Sequence, residues 1–150
     1  IGHGSVGHAV AERLEFFGSK ILIFDPVDDT ELSSASLAEL LPQADVVSLH
    51  TVVDGLILGP SEFKLMRPGT ILLNSAGPDL VDEMSLLSAL HSGTLAGCWL
   101  DVFSREPYDG PLCDFENVLL TPRLATHTEH CRIQVELQAA KNLLRDLNVA

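Results

Sequence analysis

The sequence predicts an α/β fold in which helices cover both faces of a mostly parallel sheet. Apolar stretches of strand length alternate along the chain with segments whose apolar residues recur at helical spacing. Most of the strand-length stretches are apolar throughout, which is typical of strands that are buried on both faces. The 150 residues are enough for one domain with a substantial hydrophobic core.

The first half of the chain alternates helix, strand, helix and strand. Val6, Val10 and Leu14 recur at helical spacing, and Gly18 after them is a typical C-terminal cap. Ser36 followed three residues later by Glu39 is the pattern of a capping box. Together with two apolar runs, these signals predict helices over Ser5–Phe17 and Ser36–Leu41 and strands over Lys20–Phe24 and Ala44–His50.

The second half continues the same alternation. The turn sequence RPG separates a short helical segment from an apolar strand, and Gly93 ends the helix that follows this strand. Two further apolar runs precede a long segment with an apolar stripe at helical period. The predicted helices are Ser61–Met66, Asp82–His91 and Thr128–Leu147, and the predicted strands are Thr70–Ser75, Ala96–Val102 and Asn117–Thr121.

Composition and charge narrow the class of protein. The formal net charge of -12 leaves no basic face for nucleic-acid phosphates, so a nucleic-acid partner is not expected. No apolar run approaches the roughly 18 residues needed to span a bilayer, so no membrane partner is expected. Cys98, Cys113 and Cys131 are odd in number and lack metal-ligand spacing. We therefore expect free thiols in a cytoplasmic protein and no metal site.

A glycine motif opens the chain. In the stretch IGHGSVG, Gly2, Gly4 and Gly7 have G-x-G-x-x-G spacing. In that pattern the first glycine turns the chain, the second lets a pyrophosphate approach the backbone, and the third lets the helix pack on the strand. Asp25 follows the next apolar run, where a carboxylate can accept both ribose hydroxyls and repel a 2′-phosphate. The motif predicts a dinucleotide site that prefers NAD to NADP; the alternative is that Asp25 only forms a turn before Pro26.

Several longer stretches match one family in the same order along the chain: GHGSVG, FDP, ADVVSLHT, MRPGTILLNSAGPDLVDE, SALHSGTLAGCWLDVFSREP and NVLLTPRLATHTE. On these motifs the chain resembles the D-isomer-specific 2-hydroxyacid dehydrogenases over nearly all of its length. The resemblance implies a doubly wound parallel sheet of Rossmann type, NAD as cofactor, a 2-hydroxy or 2-oxo acid as substrate, and a homodimer. It further implies that residues 1–150 are one dinucleotide-binding domain excised from a longer chain that also holds a substrate domain.

The resemblance also implies which residues contact the cofactor. They belong to the glycine loop, to the end of the second apolar run, and to the ends of the following strands. The expected cofactor-binding residues are Gly2, Gly4, Ser5, Val6, Gly7, Asp25, Pro26, His50, Thr51, Ser75, Ala76 and Asp101.

The chain departs from the family at two catalytic positions. The family uses an Arg to bind the substrate carboxylate and carbonyl, a His to take the hydroxyl proton, and a Glu to orient that His. Glu106 matches the family Glu, but Gly77 stands where the Arg is expected and Arg123 stands where the His is expected. The stretch Thr51–Gly59 is also shorter than the corresponding loop of the family, which reshapes the rim of the expected substrate cleft.

These substitutions leave two arrangements open, because an arginine does not exchange protons near neutral pH. In the first, Glu106 and Arg123 form an ion pair without acid–base function. In the second, Arg123 binds the substrate anion and His127 or His130 serves as the base. The corresponding functions are an oxidoreductase of weak or altered activity and an inactive pseudo-dehydrogenase that binds NAD(H) in a regulatory or scaffolding role. A different NAD-dependent reaction on the same fold is a third alternative. We expect no appreciable oxidation of lactate, glycerate or 3-phosphoglycerate at neutral pH.

Overall fold

The computed structural model describes residues 1–25 and 36–147. The α-helices in this part of the chain are α1 (Ser5–Phe16), α2 (Leu37–Leu40), α3 (Pro60–Leu65), α4 (Glu83–His91) and α5 (Glu129–Asp146). The strands are β1 (Val46–Leu49), β2 (Thr70–Asn74), β3 (Leu95–Leu100) and β4 (Val118–Leu120). Short 3-10 helices lie at Leu41–Gln43, Pro78–Leu80, Pro111–Asp114 and Leu124–Thr126.

Side chains just before several helices account for where those helices begin. The predicted capping box is present, since the Ser36 hydroxyl accepts a hydrogen bond from the Glu39 backbone N–H and the Glu39 carboxylate accepts one from the Ser36 N–H. Asp82 caps α4 and Thr128 caps α5 in the same way, each through its side-chain oxygen. These caps satisfy backbone donors that would otherwise lack partners in the first helical turn.

The four strands form one parallel sheet in the order β1-β2-β3-β4. On the free side of β1 lies the start of the chain, where the His50 N–H donates to the Ile1 carbonyl at 2.7 Å. The Gly2 N–H in turn donates to the Phe24 carbonyl at 2.8 Å. The segment Ile1–Gly2 therefore lies between Phe24 on one side and the end of β1 on the other. The chain first passes to the side of Phe24 and then returns to form β1, β2, β3 and β4 on the opposite side. Such a reversal opens a crevice at the carboxyl ends of the strands.

The strand predicted over Lys20–Phe24 is not a strand in the structure. Only Ile1 and Gly2 lie beside this run before the glycine turn carries the chain away, and they provide one backbone hydrogen bond to Phe24. A strand ladder needs several consecutive paired residues, so this single hydrogen bond does not make the apolar run a strand. The other predicted helices and strands are confirmed, with their ends shifted by at most two residues.

One face of the sheet carries the hydrophobic core, and the other face is more open. On the buried face, the strand residues Val47, Leu49, Leu72 and Leu100 share one hydrophobic cluster with Phe63 of α3 and Leu86 of α4. On the opposite face, Val46, Ile71 and Leu119 are 50%, 41% and 60% exposed. The expectation that both faces are buried is therefore wrong for this face, because α1 buries only Gly7 and α5 buries none of its residues. Within the described part of the chain, no helix is both long and apolar enough to cross a membrane.

Candidate functional site

The three glycines of the opening loop differ in what surrounds them. Gly2 has φ +86°, and a Cβ atom there would lie 2.6 Å from the Thr51 nitrogen. A Cβ atom at Gly7 would collide with the Gly2 carbonyl oxygen. Gly4 has an ordinary φ of -64°, and a Cβ atom there would meet no protein atom within 4 Å. The fold itself thus requires Gly2 and Gly7, whereas the space beside Gly4 is left open for a ligand.

The amino end of α1 faces the same open space. Gly4 is its N-cap and provides no side-chain hydrogen bond, and the first turn contains no acidic residue. The backbone N–H groups of Ser5 and Val6 are thus among the donors that lack a helical partner at this end. Uncapped N–H groups at a helix N-terminus form a suitable site for phosphate.

Asp25 lies next to the glycine loop, as the sequence predicts. Its carboxylate accepts a hydrogen bond of 2.6 Å from the His3 backbone N–H, which is inside the loop. This contact ties the end of the Lys20–Phe24 run to the loop and places a carboxylate beside the open space at Gly4. Pro26, the neighbouring residue predicted to contact the cofactor, lies outside the described residues.

The loop after β1 continues the same edge of the sheet. His50 follows β1 directly, and its Nε2 atom lies 2.9 Å from the Ser48 hydroxyl oxygen. Burial of the imidazole lowers the pKa of His50. Thr51 is buried beneath the glycine loop, 5% exposed. His50 and Thr51, which are predicted to contact the cofactor, therefore lie beside Gly2 and Gly7 of the glycine loop.

The loop after β2 is held by a buried asparagine that the sequence analysis did not identify. The Asn74 side-chain oxygen accepts hydrogen bonds from the N–H groups of Ala76 at 3.0 Å and Gly77 at 3.3 Å. The Asn74 amide donates to the Gly77 carbonyl at 2.8 Å. These contacts fix the backbone of Ser75 and Ala76, which are predicted to contact the cofactor. A polar residue at the end of an apolar strand is the signal that points to Asn74.

An open cleft of about 350 Å³ lies between the loops after β1 and β2. It is lined by residues 51–55, 76, 77, 79 and 80. Its size lies in the range of small-molecule sites, and its position at the carboxyl ends of parallel strands is where α/β sheets bind ligands.

Asp101 holds the loop that follows β4. Its buried carboxylate accepts hydrogen bonds from the Thr121 hydroxyl at 2.5 Å and from the N–H groups of Leu124 at 2.7 Å and Ala125 at 2.9 Å. Burial acts to raise the pKa of Asp101, but the hydrogen bond from Thr121 and those from the two backbone N–H groups outweigh it, so the pKa is lowered. The contact of Asp101 with the cofactor stays a prediction, whereas its role in fixing the loop at 121–125 is seen in the structure.

Thr121 and Trp99 extend this arrangement. The Trp99 indole N–H donates to the Thr121 hydroxyl oxygen at 2.8 Å, while that hydroxyl donates to Asp101. Trp99 lies in an apolar strand, but it is only partly buried and has this polar contact. Sequence reasoning missed Thr121, although a threonine directly after a strand is the same kind of signal as Asn74.

Arg123 and Glu106 form the ion pair predicted from the sequence. The Nε atom of Arg123 lies 2.7 Å from Oε1 of Glu106, and the two side chains are 54% and 42% exposed. The hydrogen bond to Glu106 and the charge of Glu106 raise the pKa of Arg123 further above its ordinary value, so its proton is retained. Arg123 also adopts the left-handed backbone conformation, with φ 54° and ψ 42°, which non-glycine residues rarely adopt.

His127 contacts the same arginine through its backbone. The Nδ1 atom of His127 is hydrogen-bonded to the Arg123 carbonyl oxygen. Since a carbonyl can only accept, Nδ1 carries the proton, and Nε2 of the neutral imidazole is the atom that can take up a proton. His130, the other candidate base, lies on the exposed surface of α5. The structure thus places Glu106, Arg123 and His127 together at the ends of β3 and β4.

A glycine loop at the reversal of strand order, an acidic residue tied to it and an uncapped helix N-terminus beside it define a Rossmann-type dinucleotide-binding domain. The family model described as D-isomer specific 2-hydroxyacid dehydrogenase, NAD binding domain, matches residues 1–125. The chain belongs to this family and is an NAD-binding domain of it. Within the described residues, no group of three or more His, Cys, Asp or Glu side chains is arranged to hold a metal ion.

Individual relatives agree with this assignment. The chain is 34% identical to D-3-phosphoglycerate dehydrogenase of Escherichia coli strain K12 over 158 aligned residues, which cover 97% of this chain and 38% of that enzyme. It is similar to the crystal structure of a glyoxylate reductase from Paecilomyes thermophila, with a TM-score of 0.85 and 34% identity over 95% of this chain and 46% of that one. It is also similar to D-lactate dehydrogenase from Aquifex aeolicus complexed with NAD and lactic acid, with a TM-score of 0.82 and 27% identity over 98% and 52% of the two chains.

The chain therefore spans about half, or less, of the length of these relatives. All three are named as dehydrogenases or reductases of small hydroxy or oxo acids. The comparisons support the oxidoreductase interpretation and give no support to the inactive alternative.

Proposed function

We propose that the protein uses NAD(H) to interconvert a 2-hydroxy acid and a 2-oxo acid. The observation that carries the cofactor half of this proposal is the open space beside Gly4, for which the packing of the protein gives no other reason. The membership of the chain in the 2-hydroxyacid dehydrogenase family supports the substrate half. When bound, the nicotinamide ring of NAD supplies or accepts the hydride, so the protein itself has only to move a proton and hold the substrate.

The cofactor residues divide by position along the crevice. Ser5 and Val6 offer backbone N–H groups to the pyrophosphate at the start of α1, and Asp25 accepts the hydroxyls of the adenosine ribose. The residues at the carboxyl ends of the following strands contact the rest of the dinucleotide; they are His50, Thr51, Ser75, Ala76 and Asp101. Thr51 and Ala76 also line the open cleft of about 350 Å³ between the loops after β1 and β2.

The substrate-side residues are Glu106, Arg123 and His127. Reduction of a 2-oxo acid adds a hydride to the carbonyl carbon and a proton to the carbonyl oxygen. Arg123 keeps its proton at neutral pH, so it can stabilise charge but cannot deliver the proton. His127 is the group that can exchange a proton, because the contact of its Nδ1 with the Arg123 carbonyl leaves Nε2 as the exchanging atom.

The proposal is tested on the full-length protein in two steps. We expect NADH to bind, as measured by nicotinamide fluorescence, and at least one 2-oxo acid among glyoxylate, pyruvate and hydroxypyruvate to oxidise bound NADH. Absence of NADH binding would contradict the cofactor assignment. Binding of NADH without turnover of any tested acid would favour the inactive alternative instead.

We further propose that the protein is a cytoplasmic homodimer. On α4, Leu90 is buried in the core, whereas Met84 is 71% exposed and available for a partner. The three cysteines form no disulfide in the structure, which suits a reducing compartment. Sedimentation velocity should give the mass of two chains, and a monomer at micromolar concentration would contradict the dimer.

A further inference from the structure

Arg123 has hydrogen-bonding capacity that the protein does not use. A guanidinium has five N–H donors, and the single hydrogen bond of the Arg123 side chain in the described residues is from Nε to Glu106. The four N–H groups on its two terminal nitrogens donate to no residue in the ranges 1–25 and 36–147. About half of the Arg123 side chain is exposed to solvent, in the loop that follows β4.

The backbone of Arg123 is held in an uncommon conformation by a buried group. Its φ of 54° is the one positive φ among the described non-glycine residues. The buried carboxylate of Asp101 accepts hydrogen bonds from the N–H groups of the next two residues, Leu124 and Ala125, and so fixes the chain immediately after the arginine. Local strain of this kind persists where surrounding contacts over-determine it, and it concentrates at functional sites.

We propose that Arg123 binds the carboxylate of the substrate through its two terminal nitrogens, and that Glu106 is a positioning residue that fixes the plane of the guanidinium. The proposal rests on the proposed function, which supplies a substrate with a carboxylate. The fork of a guanidinium matches the two oxygens of a carboxylate, and pairing through Nε leaves that fork open. Gly77 cannot take this role because it has no side chain.

The test measures binding of oxamate, an unreactive analogue of a 2-oxo acid, to the full-length protein saturated with NADH. We expect the wild type to bind oxamate and Arg123→Gln to bind it about ten- to a hundredfold more weakly, the loss of a charge-assisted pair. Arg123→Lys should lose affinity as well, since a lysine keeps the charge but not the fork. Arg105→Gln is the matched control: Arg105 is an exposed arginine near the same pair, and its removal should leave oxamate affinity unchanged.

Glu106 needs a readout that a merely structural residue would not alter. Glu106→Gln should raise the KM for the 2-oxo acid several-fold with little change in the NADH dissociation constant. Glu106→Asp keeps the carboxylate, so its KM should lie between those of the wild type and Glu106→Gln. Unchanged oxamate binding in Arg123→Gln would overturn the proposal, as would a wild type that binds NADH but not oxamate. A wild type that does not bind NADH would instead contradict the proposed function. If Arg123→Gln fails to fold, Arg123→Lys provides the decisive comparison.

Discussion

Gly4 and Gly7 belong to the same motif, but the structure gives them different physical roles. A Cβ atom at Gly4 enters empty space, whereas one at Gly7 strikes the Gly2 carbonyl oxygen. We expect Gly4→Ala to keep the melting temperature and to weaken NADH binding about tenfold or more, because the added methyl holds the pyrophosphate away from the backbone donors. Gly7→Ala should lower the free energy of unfolding by about 1–3 kcal/mol through overpacking.

The two variants serve as controls for each other, with thermal unfolding and NADH titration measured on both. Wild-type NADH affinity in Gly4→Ala would show that the open space is not where the cofactor binds. An unchanged melting temperature in Gly7→Ala would show that the loop can move aside.

We propose that Asp25 sets which dinucleotide the site prefers. Its carboxylate is fixed beside the glycine loop by the His3 N–H, and a fixed negative charge repels the 2′-phosphate of NADPH. We expect the wild type to bind NADH at least about tenfold better than NADPH, and Asp25→Ala to narrow this difference. Direct titration of both cofactors measures it, with Asp109→Ala as a control at an exposed carboxylate away from the loop. Equal wild-type affinities would contradict the assignment of Asp25.

At the scale of elements, Asp101 joins β3 to the loop after β4. It accepts hydrogen bonds from Thr121, Leu124 and Ala125 while 2% exposed. Asp101→Asn puts an amide donor where a backbone donor needs an acceptor, so at pH 7 we expect a loss of about 2–3 kcal/mol in the free energy of unfolding. Asp109→Asn, at an exposed carboxylate, should change it by less than about 0.5 kcal/mol. Urea unfolding provides the measurement.

The same carboxylate makes a pH-dependent contribution. Because folding lowers the pKa of Asp101, its stabilising effect is fully present above the ordinary aspartate pKa and is lost as the pH falls through the folded-state pKa. The difference in stability between the wild type and Asp101→Asn should thus be largest near neutral pH and shrink in acid, below about pH 4. A difference that grew on acidification would show that the carboxylate is not the origin of the effect.

The sequence predicted most elements because their signals are local. Ser36 and Glu39 lie three residues apart and form the expected capping box, and the apolar runs of β1 to β4 are continuous. The run Lys20–Phe24 failed as a strand because strand formation depends on a neighbour distant in the sequence. Asn74 was missed for a similar reason: its hydrogen bonds to the loop after β2 depend on how that loop folds back, which periodicity does not indicate.

For the molecule as a whole, the apolar pattern indicates which faces of the strands and helices favour burial, but not which element covers each face. Val46, Ile71 and Leu119 are apolar strand residues, as a sheet with two buried faces requires, and yet they are 41–60% exposed in this chain. The helix α5 likewise carries an apolar stripe, including Ile133 and Leu137, and buries none of its residues. The spacing of apolar residues indicates that a face favours burial, whereas its actual burial depends on the element that packs against it.

The turnover of the full-length protein depends on how well the rearranged residues replace the family's arginine and histidine. A well-positioned proton acceptor contributes about 10²–10⁴ in rate, and His127 is an exposed side chain that a backbone carbonyl holds. From an ordinary turnover near ~10 s⁻¹, we expect oxidation of lactate, glycerate and 3-phosphoglycerate at pH 7 to remain below about 0.1 s⁻¹. His127→Gln should lower the rate further. The control His130→Gln, at an exposed position on α5, should leave the rate unchanged.

Restoring the family's residues tests the same argument from the other side. Gly77→Arg adds a cation but no base, and Arg123→His adds a base while it removes the cation, so neither change alone should raise turnover appreciably. A Cβ atom at Gly77 would lie 3.5 Å or more from the Leu80 side chain, which is ordinary van der Waals contact, so the backbone there tolerates a side chain. The double change supplies both groups and should exceed either single variant by at least about tenfold, measured as initial rates of NADH formation. A wild-type turnover of order 1 s⁻¹ on any of these acids would show instead that Arg123 and His127 already do the work of the missing pair.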